Sequence, residues 1–129
     1  MAQRTWQPGG MSLNRRAREL HIRFFPAGAG APTYAAQDSK GVASIVRNSA
    51  GEWLVTLQDT YKRLLSAQAT IQMAAATDLV PQIATVANLA SALPVTVIVR
   101  ALAVAAPTDI AANANNSFML SLFFDDADS

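Results

Sequence analysis

The chain has 129 residues, of which 51% are apolar, 7% aromatic and 15% charged. This length is sufficient for one domain with its own core but too short for two. The absence of cysteine excludes disulfides, thiolate metal sites and cysteine nucleophiles. The charged fraction is low for a soluble protein. Because soluble monomers rarely expose large apolar patches, we expect neighbouring subunits to cover part of this surface.

An extended arm is predicted at the N-terminus. Residues 1–14 show neither a helical nor a strand period, and Pro8-Gly9-Gly10 interrupts them. The remaining residues, 15–129, are predicted to form a single β-sandwich domain. Trp6 is a large apolar group on the arm. Two interpretations stay open: a disordered terminus, or an arm that places Trp6 in a partner's groove.

Short alternating stretches separated by turn residues predict about six or seven strands. The predicted strands cover residues 16–25, 42–47, 52–57, 67–75, 82–88, 95–104 and 117–124. Pro26 is expected to end the first strand, and residues 27–40 to form a loop. For residues 67–75 a helix is the alternative, because alanine and glutamine favour helices. The pattern predicts an all-β fold, either a small antiparallel β-sandwich or a jelly-roll-like barrel.

A β-hairpin forms the centre of this pattern. Its turn contains Gly51, which is free to adopt a positive φ. One face of its second strand is apolar and predicted to lie in the core: Trp53, Val55 and Leu57. Asp59 is expected to cap a short helical turn over residues 60–65.

The stretch from Val95 to Val104 is apolar on both of its strand faces. Such a strand lies either between two layers or between the core and a subunit interface. Arg100 interrupts one face and needs a carboxylate partner if it is buried.

Groups suited to catalysis are few. His21 is the single histidine, so any Ser-His-Asp arrangement would require it. It shares a strand face with Glu19 and Arg23, which we interpret as a solvated or interface face. Zinc needs three or four suitable ligands, which one histidine without cysteine does not supply. We therefore predict a protein that is not an enzyme and has no cofactor or metal site.

Charge is unevenly placed along the chain, although the net charge is only +1. Arginines concentrate near the start and aspartates in the last five residues. The candidate partner-binding residues are Trp6, Arg4, Arg15, Arg16, Arg18, Asp125 and Asp126. The two charged ends either attract each other between neighbouring subunits or meet different partners. The arginine cluster lacks interleaved aromatic residues, so we expect no nucleic-acid partner.

Membrane association is not expected either. The longest apolar run, residues 95–106, is broken by Thr96 and Arg100 and is shorter than the ~20 residues that span a bilayer. Residues 1–10 are polar and lack the apolar segment of a signal peptide. We expect a product made in the cytoplasm.

With the segment GVASIVR before an Ala-Gly turn and the strand WLVTL after it, the hairpin region resembles a group of small structural proteins of tailed bacteriophages. The resemblance begins with GAGAPT and continues through SKGVASIVRNSAGEWLVTLQDTYKRLL. The matching features are Gly41 to Arg47, Ala50-Gly51, Trp53 to Leu57 and Asp59-Thr60-Tyr61. VTVIVRAL and SFMLSLFF are similar in pattern, which extends the resemblance over residues 16–124. The proteins of this group are capsid decoration (cement) proteins, which are β-rich, oligomeric and bound outside the shell.

The resemblance implies a structural virion protein on the capsid exterior. Its partners would be the major capsid protein and further copies of itself, as a homotrimer or homodimer. One alternative is a tail, fibre or head-completion subunit, whose β architecture would look the same in sequence. Another is a carbohydrate- or receptor-binding β-sandwich, for which Trp53 is the candidate contact if it is exposed.

Overall fold

The computed structural model describes residues 17–75, 77–104 and 106–125, so the predicted arm lies outside the described residues. Within these ranges the chain forms nine strands and a short 3-10 helix, Ala36–Asp38. The strands are β1 (Ala17–Ala27), β2 (Gly30–Thr33), β3 (Val42–Ser49), β4 (Glu52–Leu57), β5 (Arg63–Gln72), β6 (Val80–Ala87), β7 (Thr96–Ala103), β8 (Ala106–Pro107) and β9 (Ser117–Asp125).

The strands form two antiparallel sheets. The first has the order β2-β1-β9-β5, and the second has the order β3-β4-β7-β6. The short strand β8 also pairs with β7. Leu102 of β7 pairs with Val80 of β6 and with Pro107 of β8, so β8 lies on the same side of β7 as β4. The predicted all-β sandwich is confirmed, with nine strands rather than six or seven.

The core lies between the two sheets and is built from alternate residues of each strand. The predicted face of β4 is confirmed, because Trp53, Val55 and Leu57 are all fully buried. Trp53 packs with Phe24 of β1 and Phe118 of β9, and the ring centroids of Phe24 and Trp53 lie 5.8 Å apart. Because these three rings come from both sheets, they join the two layers at one point.

The helical turn predicted for residues 60–65 is wrong, and so is its cap at Asp59. Residues 60–62 are irregular, and β5 begins at Arg63. The Tyr61 ring stacks on Phe124 at a centroid distance of 4.2 Å, and its carbonyl accepts a hydrogen bond from Ala90 N–H at 2.8 Å. The Tyr61 carbonyl therefore accepts a tertiary hydrogen bond in place of one within a helical turn. The helix alternative for residues 67–75 is also wrong, because β5 covers most of them.

The first strand continues past Pro26, contrary to expectation. The register of β1 with β2 shifts between Phe25 and Ala27, so Pro26 lies at a bulge where its missing N–H costs no ladder hydrogen bond. Residues 27–40 are not one loop, since they contain β2 and the 3-10 helix. These elements are too short to leave a periodic signal in the sequence.

Candidate functional site

The outward side of the second sheet carries a cluster of aliphatic side chains. This cluster, here called the apolar outer face, lies among polar side chains such as Thr56, Thr96 and Gln82, and it consists of Val46, Leu54, Val80, Ile98 and Leu102. Leu54 and Ile98 each alternate with fully buried core residues, so they point away from the core. Val46 pairs with Leu54, and Leu54 pairs with Ile98, so the three form a continuous row across β3, β4 and β7.

Part of this face is open to solvent. Val46 is 46% exposed and Val80 is 57% exposed. The two-faced apolar pattern predicted for residues 95–104 arises here, because β7 has the core on one side and this face on the other. Side chains of this kind lose water favourably when a partner covers them, at roughly 25 cal/mol per Å² of apolar area.

A single ion pair crosses the apolar outer face. Arg100 Nε donates to Glu52 Oε1 at 2.8 Å, so Arg100 has a carboxylate partner although its side chain is 40% exposed rather than buried. The hydrogen bond from Arg100 lowers the pKa of Glu52, and a second hydrogen bond from Asn48 lowers it further. The two charges neutralise each other, so this part of the face carries no net charge.

A second ion pair fixes the hairpin turn to the chain before β9. Arg47 donates to both carboxylate oxygens of Asp109, with Nε–Oδ1 at 3.0 Å and Nη2–Oδ2 at 2.8 Å. The Gly51 N–H also donates to Asp109 Oδ1 at 2.8 Å. These hydrogen bonds, chiefly the one from Arg47, lower the pKa of Asp109, while the pKa of Arg47 is raised. We call this group of Arg47, Gly51 and Asp109 the Asp109 clasp.

The outward side of the first sheet mixes polar side chains with Phe25, Met119 and Phe123, and it contains the single histidine. His21 Nε2 lies 2.6 Å from Glu19 Oε2, and His21 Nδ1 lies 3.1 Å from Ser121 Oγ. This chain of hydrogen bonds has the residue types of a nucleophile, a base and a carboxylate. Ser121, however, lies in β9 between β1 and β5, so the neighbouring amides belong to the sheet ladders and do not form an oxyanion hole. The His21 side chain is 65% exposed, which fits a solvated sheet face.

Within the described part of the chain, no group of three or more histidine, aspartate or glutamate side chains is arranged to hold a metal ion. In the same ranges, no helix is long and apolar enough to cross a membrane.

The structure places two of the predicted partner-binding residues. Arg18 is exposed on β1, and Asp125 ends β9 in an ion pair with Arg63 of β5. Ala17 pairs directly with Asp125, so the start of β1 and the end of β9 lie side by side within one chain. The other predicted residues lie outside the described ranges: Arg4, Trp6, Arg15, Arg16 and Asp126.

Sequence reasoning missed part of the apolar outer face and the whole Asp109 clasp. The alternation of β4 gave a signal for Leu54, but Val46 and Val80 lie near register shifts or a proline that obscure their direction. Asp109 is distant in sequence from Arg47 and Gly51, and nothing in its own neighbourhood marks the pairing.

The chain matches no protein-family model, no curated protein and no solved structure.

Proposed function

We propose that this protein is a structural virion protein that binds the outside of an icosahedral phage capsid and stabilises it. The observation that carries the proposal is the apolar outer face. It is a row of aliphatic side chains across three paired strands. The two charges within it, Arg100 and Glu52, form an ion pair with each other. The resemblance of the hairpin to decoration proteins supplies the class of partner. The major capsid protein would cover this face.

Repetition is the physical basis of the proposed stabilisation. A decoration protein is present in many copies, and each contact can be weak when several copies are joined. Linked sites raise the overall avidity by roughly 10² to 10⁴ over a single site. In this proposal the β-sandwich binds the shell through its apolar outer face, binds further copies of itself elsewhere, and extends its N-terminal arm across a subunit boundary.

The role of the apolar outer face can be tested by substituting two of its exposed residues in one chain, Val46→Lys and Val80→Lys. Both side chains are substantially exposed, so the fold should be retained. The matched control places lysines at two exposed positions away from the face, Gln37→Lys and Ala112→Lys. We expect the face variant to lose capsid occupancy in a co-sedimentation assay and the control to keep it. Equal occupancy of both variants would remove this face from the proposal.

A carbohydrate-binding role loses its candidate contact, because Trp53 is fully buried. A hydrolytic role has one observation in its favour, the chain of Glu19, His21 and Ser121. An ester-hydrolysis activity of the purified protein that disappears in Ser121→Ala would support that role over the structural one. A tail or head-completion role differs from decoration in the number of copies per particle.

A further inference from the structure

The two sheets have four edge strands, and three of them carry features that discourage pairing with another chain. β2 is only four residues long and contains Pro32. β3 has two register shifts, between Val42 and Ser44 and between Arg47 and Ser49. In β6 a proline and a further register shift interrupt the edge. Short strands, prolines and bulges are the usual means by which sheet edges avoid association.

β5 is the edge strand that lacks this protection along most of its length. It pairs with β9 alone among the described strands, so no described strand is hydrogen-bonded to its other side. Its register shift is at its beginning, between Leu64 and Ser66, and its pairing with β9 is regular from there to Gln72. The segment SAQATIQ, residues 66–72, contains no charged residue, proline or glycine.

We propose that β5 pairs with β5 of a second copy of this chain, so that the two four-stranded sheets join into one across a two-fold axis. Two identical edge strands related by a two-fold axis run antiparallel, which matches the geometry of the rest of the sheet. This inference deepens the self-association in the proposed function and does not depend on the capsid.

The outward side chains of the segment are complementary to themselves in this arrangement. With the two-fold axis at Ala69, Gln68 lies opposite Thr70 of the second copy, and Ser66 lies opposite Gln72 of the second copy. All four are exposed in the single chain and polar. Amide and hydroxyl groups facing one another across a strand pair form hydrogen bonds without opposing like charges.

The inward side chains match as well. The same axis places Ala67 opposite Ile71 of the second copy and Ala69 opposite itself. These three residues face the core but are only half-buried in the single chain, whereas the inward residues of the central strand β9 are fully buried. A second copy would complete their burial. A two-fold axis through a residue of an alternating strand keeps polar side chains opposite polar ones and apolar side chains opposite apolar ones, so a second copy of this chain meets this requirement without any further match.

The test uses the purified full chain, without capsids, and measures its mass by sedimentation velocity across a concentration series. The wild type should form a particle of twice the 13.7 kDa chain mass. Gln68→Lys with Thr70→Lys places lysines opposite lysines twice across the axis. This change should raise the dissociation constant of the dimer roughly tenfold or more. Gln68→Glu with Thr70→Lys makes both pairs attractive and should restore the dimer.

The control moves the same charges to another edge, with Gln82→Lys and Thr85→Lys on β6, and should leave the dimer intact. In the unmodified chain, hydrogen exchange of the β5 amides should slow as the concentration rises. A wild-type monomer at every concentration would overturn the inference, as would a dimer broken by the β6 control but not by the β5 pair. A monomer that still binds capsids would overturn this inference and the joining of copies in solution, while leaving the proposed capsid binding in place.

Discussion

Gly51 occupies the turn between β3 and β4 with a φ of 65°, and the chain before β9 passes directly over it. A Cβ at this position would lie 2.2 Å from the backbone nitrogen of Thr108, which is too close for any side chain. We expect Gly51→Ala to lower the free energy of unfolding by about 3 kcal/mol or more, from backbone strain and displacement of this segment. Chemical denaturation monitored by tryptophan fluorescence measures the change.

The matched control is Gly28→Ala. Gly28 has a similar φ of 59°, but nothing lies within 4 Å of a Cβ built there. Its substitution should cost only the left-handed conformation, about 1 kcal/mol. Equal losses in the two variants would show that the close approach of Thr108 to Gly51 does not matter.

Asp109 and Glu52 should make the stability of the protein depend on pH in the acid range. The hydrogen bond from Arg47 is the main cause that holds the pKa of Asp109 below the ordinary 3.8. The hydrogen bond from Arg100 is the main cause that holds the pKa of Glu52 below the ordinary 4.5. A carboxyl with a lowered pKa in the folded state stabilises the fold above its unfolded pKa, and this contribution is lost as the pH falls through the folded pKa.

We therefore expect the Tm of the wild type to fall more steeply below about pH 4.5 than that of a variant with Asp109→Asn and Glu52→Gln. The variant should be less stable at neutral pH, and the two curves should converge as the pH falls. Thermal unfolding followed by circular dichroism across this range measures both. Parallel curves would show that neither carboxylate contributes through its ionised form.

At the scale of elements, Asn116 links two connections that are far apart in the chain. This residue is 6% exposed and precedes β9. Its Oδ1 accepts from the Ala74 N–H at 2.7 Å, and its Nδ2 donates to the Ala111 carbonyl at 3.0 Å. It therefore satisfies backbone groups of the segment after β5 and of the segment after β8 with one side chain.

Asn116→Ala should reduce the free energy of unfolding by about 2 kcal/mol, because two backbone groups lose their partner at a buried position. The neighbouring Asn115→Ala is the control, because Asn115 is exposed and its substitution should change stability by no more than about 0.5 kcal/mol. Both values come from urea denaturation. Indistinguishable variants would mean that the two connections are held by other contacts.

Elements with a clear period were predictable from the sequence. The alternation in β4 identified which side of that strand faces the core, and the turn at Gly51 was located correctly. The failures share a physical cause, since long-range contacts decide them. Tyr61 stacks on Phe124 instead of forming a helical turn. The short strands β2 and β8 are stabilised by pairing with the longer strands β1 and β7.

The candidate site was only partly predictable for a related reason. The two-faced character of β7 was visible in its composition, and the need of Arg100 for a carboxylate followed from electrostatics. The register of three strands decides whether Val46, Leu54 and Ile98 form one row. This register includes bulges that the sequence does not mark. The edge of β5 likewise becomes recognisable only when the order of strands is known.

The sandwich and the N-terminal arm have separate tasks in the proposed role. Deleting residues 1–14 should leave the sandwich folded, because the buried core residues of the described ranges lie between Ile22 and Phe124. The truncated protein should bind capsids more weakly, since it lacks Trp6 and Arg4. Circular dichroism checks the fold and capsid co-sedimentation checks the binding. Undiminished occupancy by the truncated protein would remove the arm from the binding surface.

The number of copies per particle separates the proposed role from its structural alternatives. Decoration proteins cover the shell, whereas tail, fibre and head-completion subunits are confined to one vertex or one appendage. Quantitative mass spectrometry of purified particles gives the ratio of this chain to the major capsid protein. We predict that the copies of this chain and the copies of the major capsid protein are comparable in number and stand in a ratio of small whole numbers. A count in the range of tail components, or absence from the particles, would contradict the proposal that this protein decorates a capsid.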